Sequence, residues 1–181
     1  GGRRLVRQYL STTMPPLADF LKDVLARHPI RVRGQAIFLT TSHESTPPAF
    51  LQNVRHNTVV HELVMFLKIV TARVPIIPRA EQLNIGQFAP GIYRVTVRHG
   101  FMETPEITTL LGLCQEQGVP VHLPGTTFFV SRINSLATPK PGMALWREHL
   151  FVFLSRNSRR TSAFLGIPSE QVVEIGVVVD I

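Results

Sequence analysis

The residue types best able to do chemistry crowd into one stretch, Asn53-Val54-Arg55-His56-Asn57-Thr58-Val59-Val60-His61-Glu62. It runs straight into Leu63-Val64-Met65-Phe66-Leu67-Lys68-Ile69-Val70, an apolar segment suited to a buried strand. Polar side chains at the mouth of such a strand are where α/β domains usually place ligands. With Arg55 among them, an anion is the partner to expect. A metal is a poorer fit. His56 and His61 lie five residues apart, which does not put both on one helix face, and Glu62 has no second carboxylate beside it. The structural alternative is that Asn53 and Asn57 cap a preceding helix while the histidines bond backbone carbonyls. A second candidate contact is the strand in which Arg94, Thr96 and Arg98 alternate with Tyr93, Val95 and Val97, giving one polar and one apolar face.

Other chemistries lack their signatures. There is no G-x-x-x-x-G-K-[ST] loop, no G-x-G-x-x-G and no G-x-S-x-G, so neither a phosphate loop nor a nucleophile elbow is predicted, and catalysis is not expected. The one cysteine, Cys114, cannot form an internal disulfide or a thiolate metal site, which points to a reducing compartment. No cofactor is implied. The formal net charge of +7 suits an anionic partner. Clustered basic residues interleaved with aromatics, as nucleic-acid binding requires, are missing, so nucleic acid is not an expected partner. Basic residues cluster only at Arg3, Arg4 and Arg7, with a later doublet at Arg159-Arg160. No apolar run reaches the roughly 20 residues of a membrane span, and the basic start is not followed by the apolar segment of a signal peptide.

The elements that must position these groups can be read in order. After Met14-Pro15-Pro16, residues Leu17, Phe20, Leu21, Val24 and Leu25 share a helix face, and the helix should end near His28-Pro29. Its apolar stripe either docks on the core or lies along a membrane interface. Gly34 to Thr40 reads as a buried strand followed by the polar loop Thr41 to Thr46. Pro47-Pro48 opens a short helix with Phe50, Leu51 and Val54 on its apolar face, so strand, helix and second strand form a βαβ unit with parallel strands. Val74 to Arg79 is a proline-broken surface connection, and Leu83–Phe88 with Ile92–Arg98 form a hairpin around Ala89-Pro90-Gly91. Thr104-Pro105-Glu106 signals a helix start and Gly118 its stop, with Ile107, Leu110, Leu111 and Cys114 inward, so Cys114 is a packed thiol. Thr127 to Ser131 is a strand, and Met143, Trp146, Leu150 and Phe153 share a helix face. A helical turn around Ala163-Phe164-Leu165 ends at Gly166. The last strand, Val172 to Ile181, has a bulge or close approach at Gly176. The fold class is α/β: a mixed, mostly parallel sheet of about six strands flanked by helices, with an N-terminal amphipathic helix. Residues 1–28 form a basic segment plus that helix, and 29–181 the α/β domain.

Several segments together resemble a known family. Arg31-Val32-Arg33-Gly34-Gln35-Ala36-Ile37-Phe38-Leu39-Thr40 and Pro47-Pro48-Ala49-Phe50-Leu51-Gln52-Asn53-Val54-Arg55-His56-Asn57 open the match. Tyr93-Arg94-Val95, His99-Gly100-Phe101-Met102-Glu103-Thr104-Pro105, Phe128-Phe129-Val130-Ser131-Arg132, Met143 to Phe151 and Val172-Val173-Glu174-Ile175-Gly176 continue it to the chain end. In this order they resemble the cytosolic C-terminal region of the Kup family of potassium uptake permeases. Arg33 departs from a proline usual there and Gln52 from a histidine. The resemblance implies a parent protein that moves potassium, with proton coupling, through a transmembrane part; together with the basic start it motivates the expectation of a regulatory and assembly role for this domain at the cytoplasmic face of the cell membrane. It also implies Gly2-Arg3-Arg4 as the basic segment after the last membrane helix, in line with the positive-inside rule. The partners expected are that transmembrane part, an anionic membrane surface near residues 1–12 and a second copy of the chain. The competing reading is a sensor of a nucleotide, such as a cyclic dinucleotide, held by Arg55, His56, Asn57, His61, Arg94 and Arg98.

Overall fold

The computed structural model describes residues 14–136 and 165–180. Helix α1 (Leu17–Ala26) leads into β1 (Ile30–Thr40), α2 (Pro48–Asn57) and β2 (Val59–Thr71). A 3-10 turn at Arg79–Glu81 precedes the hairpin of β3 (Leu83–Ala89) and β4 (Ile92–His99). Then come α3 (Ile107–Glu116), β5 (Thr126–Leu136) and, after a second 3-10 turn, β6 (Val172–Asp180). The sheet has six strands in the order β3-β4-β2-β1-β5-β6. Every pairing is parallel except β3 with β4, so the architecture is the α/β mixed sheet expected, with an antiparallel edge strand.

The central strands carry near-continuous apolar runs because both faces are covered. On one face Ile37, Met65, Leu67, Val95, Val97 and Phe128 pack against the inner side of α3, including Cys114. On the other, Ala36, Phe38, Val64, Phe66 and Phe129 meet α1 and α2. Phenylalanines dominate this second layer. The Phe38 ring stacks on Phe129 at 4.6 Å, and Phe50 meets Phe38 and Phe66 edge-on at 5.1 and 5.0 Å. Such pairs contribute about 1 kcal/mol each beyond area burial. A ten-residue helix such as α1 is marginal alone. Burying Leu17, Leu21 and Val24 here, at about 2 kcal/mol per side chain, is what stabilises it. Of the two outcomes for its apolar stripe, docking on the core is the one realised.

Local departures from the sequence reading have local causes. The first strand begins at Ile30, not Gly34, because a bulge between Val32 and Gln35 lets it continue past a glycine at φ 110°. Helix α3 starts at Ile107, and Glu106 before it is extended, so Thr104 does not cap it and Pro105 is not in its first turn. Gly118, at φ 91°, ends it as expected. Gly176 pairs in unbroken register with Arg132, so no bulge forms there. Asn53 and Asn57 do not cap α2. Thr58 takes the left-handed conformation, and its N–H donates to the Val54 carbonyl. The helix expected over Met143 to Phe153, the residues Ala163 and Phe164, Arg159-Arg160 and residues 1–12 lie outside the described residues.

Candidate functional site

Parallel strands give the sheet an amino edge, where β1, β2, β4, β5 and β6 begin, and a carboxyl edge, where they end. The polar stretch first singled out falls at the amino edge. Arg55, His56 and Asn57 form the last turn of α2 and are exposed, and His61 is the third residue of β2. The loop after β1 lies at the opposite edge. Ligands of open α/β sheets bind outside the carboxyl ends of strands, which places this stretch on the wrong side for that role. Its side chains are absorbed locally. Asn57 donates its amide to Asn53 Oδ1 at 2.7 Å, and the His61 ring lies edge-on to Phe129 at 6.0 Å. Burial pushes the His61 pKa down, favouring the neutral ring, and neither His61 Nδ1 nor Asn53 Nδ2 has a partner among the described residues.

What organises this edge is a residue the sequence reading passed over. The Arg31 guanidinium donates to the His61 and Glu62 carbonyls at 3.0 and 2.8 Å. Gln35 does similar work on the other flank of β1. Its Oε1 accepts from the His122 amide (2.8 Å) and the Thr126 hydroxyl (3.0 Å), and its amide donates to the Pro120 carbonyl (3.1 Å). A polar residue directly ahead of an apolar run was the only signal for it.

Arg94 and Arg98 belong to a different place. Arg94 pairs with Phe66 and Arg98 with Val70, so Arg94 sits five residues beyond His61 along β2, about 17 Å. The six predicted contacts therefore divide into two groups. On β4 the alternation is as read: Arg94 and Arg98 are exposed and Val95 and Val97 buried. Arg94 lies 5.9 Å from the Phe88 ring centroid, over the opposing Gly86, whose missing Cβ would meet the guanidinium at 2.6 Å. Among the described residues neither arginine has a carboxylate partner. Nearby, His43 donates Nε2–H to the Phe66 carbonyl at 2.9 Å, and its pKa is lowered by burial, with Lys68 and Arg94 adding to the effect.

At the carboxyl edge, near the crevice between β1 and β5 where strand order reverses, hydrogen bonds tie the surrounding segments together. The Ala49 N–H in the first turn of α2 donates to the Ser131 hydroxyl at 3.0 Å. Thr46 donates both its N–H and its hydroxyl to the Pro15 carbonyl (2.9 and 2.8 Å), and Leu17 N–H donates to Glu44. Further along, the loops after β2 and β4 are tied together. Phe101 N–H donates to the Val74 carbonyl (2.9 Å) and Met102 N–H to Pro75 (3.1 Å). The Glu103 carboxylate accepts from the amides of Gly100 (2.6 Å) and Ile77 (3.1 Å) and from Gln82 (3.2 Å), and those backbone donors hold its pKa below the ordinary 4.5. His99 donates Nδ1–H to the Gly100 carbonyl and accepts the Thr71 hydroxyl at Nε2. Cys114, pushed up to about 11 by burial, is a packed thiol. No grouping of three metal-ligating side chains occurs among the described residues.

The geometry is that of an open-sheet α/β module. The chain belongs to the family described as the K+ potassium transporter C-terminal domain, whose model matches residues 33–181. It is 39% identical to the "Probable potassium transport system protein Kup" of Nitrosomonas eutropha and 41% identical to the protein so named in Myxococcus xanthus. Each alignment covers 99% of this chain and 28% of the relative, so the chain spans under a third of the length of the relatives it matches. No solved structure matches it. No described helix is long and apolar enough to cross a membrane.

Proposed function

We propose that this chain is the cytoplasmic regulatory and assembly domain of a potassium uptake transporter, attached to a transmembrane part that moves potassium with proton coupling. Residues 29–181 are the folded unit in this reading, and 1–28 link it to the membrane. The observation that carries it is the family match across 33–181 combined with 28% coverage of the relatives: the conduction path then belongs to the remaining length. The test is uptake in bacteria lacking their own potassium importers, comparing the whole transporter with one truncated before the position of Gly1. Loss of growth at low external potassium, with the truncated protein still in the membrane, is expected. Unchanged uptake rate and unchanged assembly would overturn it. A nucleotide-sensor reading draws on Arg94 and Arg98, exposed and free of carboxylate partners among the described residues. Calorimetric titration with adenine mono- and dinucleotides tests it: saturable heat lost on Arg94→Ala with Arg98→Ala supports a sensor, and no saturable heat removes it.

A further inference from the structure

Large apolar side chains that face solvent are ordinary when scattered, but contiguous groups mark contact surfaces. Val74, Ile76, Phe101 and Met102 form such a group. They are 47, 67, 58 and 73% exposed, and backbone hydrogen bonds hold the two loops carrying them side by side. The group is rigidly built. A Cβ on Gly100 would lie 2.0 Å from the Pro75 carbonyl oxygen, so the two loops touch backbone to backbone, and Glu103 is turned inward to latch them. Arg73 and Arg98, both exposed, flank the group in sequence.

We propose that this apolar tip with its flanking arginines is a lipid-docking surface, inserting Ile76, Phe101 and Met102 into the headgroup region of an anionic bilayer. Two observations select that occupant. The first is chemical: exposed aromatic and aliphatic side chains beside cationic ones match a membrane interface, where apolar burial and attraction to anionic headgroups act together. The second is topological. The chain reaches the domain at Pro15 to Leu17, where the Pro15 carbonyl accepts from Thr46 and Leu17 N–H donates to the Glu44 carbonyl, bridging Pro16 to Ser45 in the loop after β1. β1, β2 and β4 are parallel neighbours, about 4.8 Å apart, so this anchor and the apolar tip occupy the same carboxyl edge. In a transporter whose remaining length precedes this domain, that edge is the one drawn toward the bilayer. The inference rests on the membrane-transporter reading for its setting, yet its test measures lipid contact and not uptake, so each can fail without the other.

Cosedimentation of the whole chain with phosphatidylcholine vesicles, with and without phosphatidylglycerol, gives the first readout. The basic start of the chain will itself favour anionic vesicles, so the comparison that matters is Phe101→Ser with Met102→Ser, exposed positions whose replacement should leave the melting temperature unchanged. Partition into the anionic vesicles should fall about tenfold. The second readout is an environment-sensitive dye on a Met102→Cys thiol. Cys114 is buried, so labelling is confined to the introduced group. Its emission should shift blue with anionic vesicles. Parent-like partition of the double variant, or an unshifted dye, would overturn the proposal and leave the tip to a protein partner.

Discussion

The two edges of the sheet use their polar side chains in opposite ways. At the amino edge, Arg31 donates to backbone carbonyls of β2, Gln35 donates to and accepts from backbone groups of the segment before β5, and the histidines and asparagines beside them stay within the fold or in solvent. At the carboxyl edge, His99, Glu103 and Gln82 fasten two loops whose apolar residues are thereby held outward. Density of reactive residue types is thus a poor guide to where a surface is presented. A latch that holds apolar side chains in solvent needs a compensating use, whereas a cap or clamp explains itself by the carbonyls it satisfies.

The contrast can be broken first at Gly100. Gly100→Ala forces a methyl into the Pro75 carbonyl and should destabilise the domain by about 3 kcal/mol, read as a fall in the denaturation midpoint with an unchanged slope. Next is the amino edge. Arg31→Ala strands two carbonyls and should cost about 1 kcal/mol, reduced because the guanidinium is exposed, while Arg55→Ala in the last turn of α2 should leave stability within about 0.5 kcal/mol. Equal effects of the two would show that the clamp contributes nothing. The smallest expected effect is on pH. The Glu103 pKa is depressed in the folded chain, so its contribution is complete above the ordinary 4.5 of a glutamate and is lost as the pH falls through the lower folded value. The amide proton shifts of Gly100 and Ile77 should titrate together with a midpoint below 4.5, and Glu103→Gln should abolish that titration.

The apolar period of α1, the βαβ unit and the β3–β4 hairpin were all legible because each is written in local pattern: a stripe at helical spacing, a run flanked by turn residues, alternation around a proline-glycine turn. The family was legible too, from motif order along the chain. The start of α3 was not, since Thr104-Pro105 carries the local signals of a helix cap while Glu106 is extended and the chain turns helical only at Ile107, whose N–H donates to Leu165 far along the chain. The relative placement of the candidate contacts was illegible for a related reason. Sequence proximity put His56 and His61 beside one apolar run, but only strand direction tells whether a residue lies at a strand's start or end, and Arg94 reached that neighbourhood in the reading without any distance to constrain it. The roles of Arg31 and Glu103 were invisible because Arg31 bonds the backbone of β2 and Glu103 ties its own loop to Ile77 and Gln82 of another segment.

The placement of β1 between β2 and β5 has a consequence for biosynthesis. One flank of β1 is satisfied by a strand that begins within 30 residues, while the Gln35 partner Thr126 follows 91 residues later. At ribosomal rates that interval is roughly 5 to 18 s. During it, the half-sheet β3-β4-β2-β1 presents the amides of Gln35 to Phe38 and half the Phe38 ring stack as an unmatched border, the kind of template that captures a second nascent chain. Whatever shields that border, a chaperone or the tightness of α1 and α2 over the same layer, governs how much newly made chain reaches this fold.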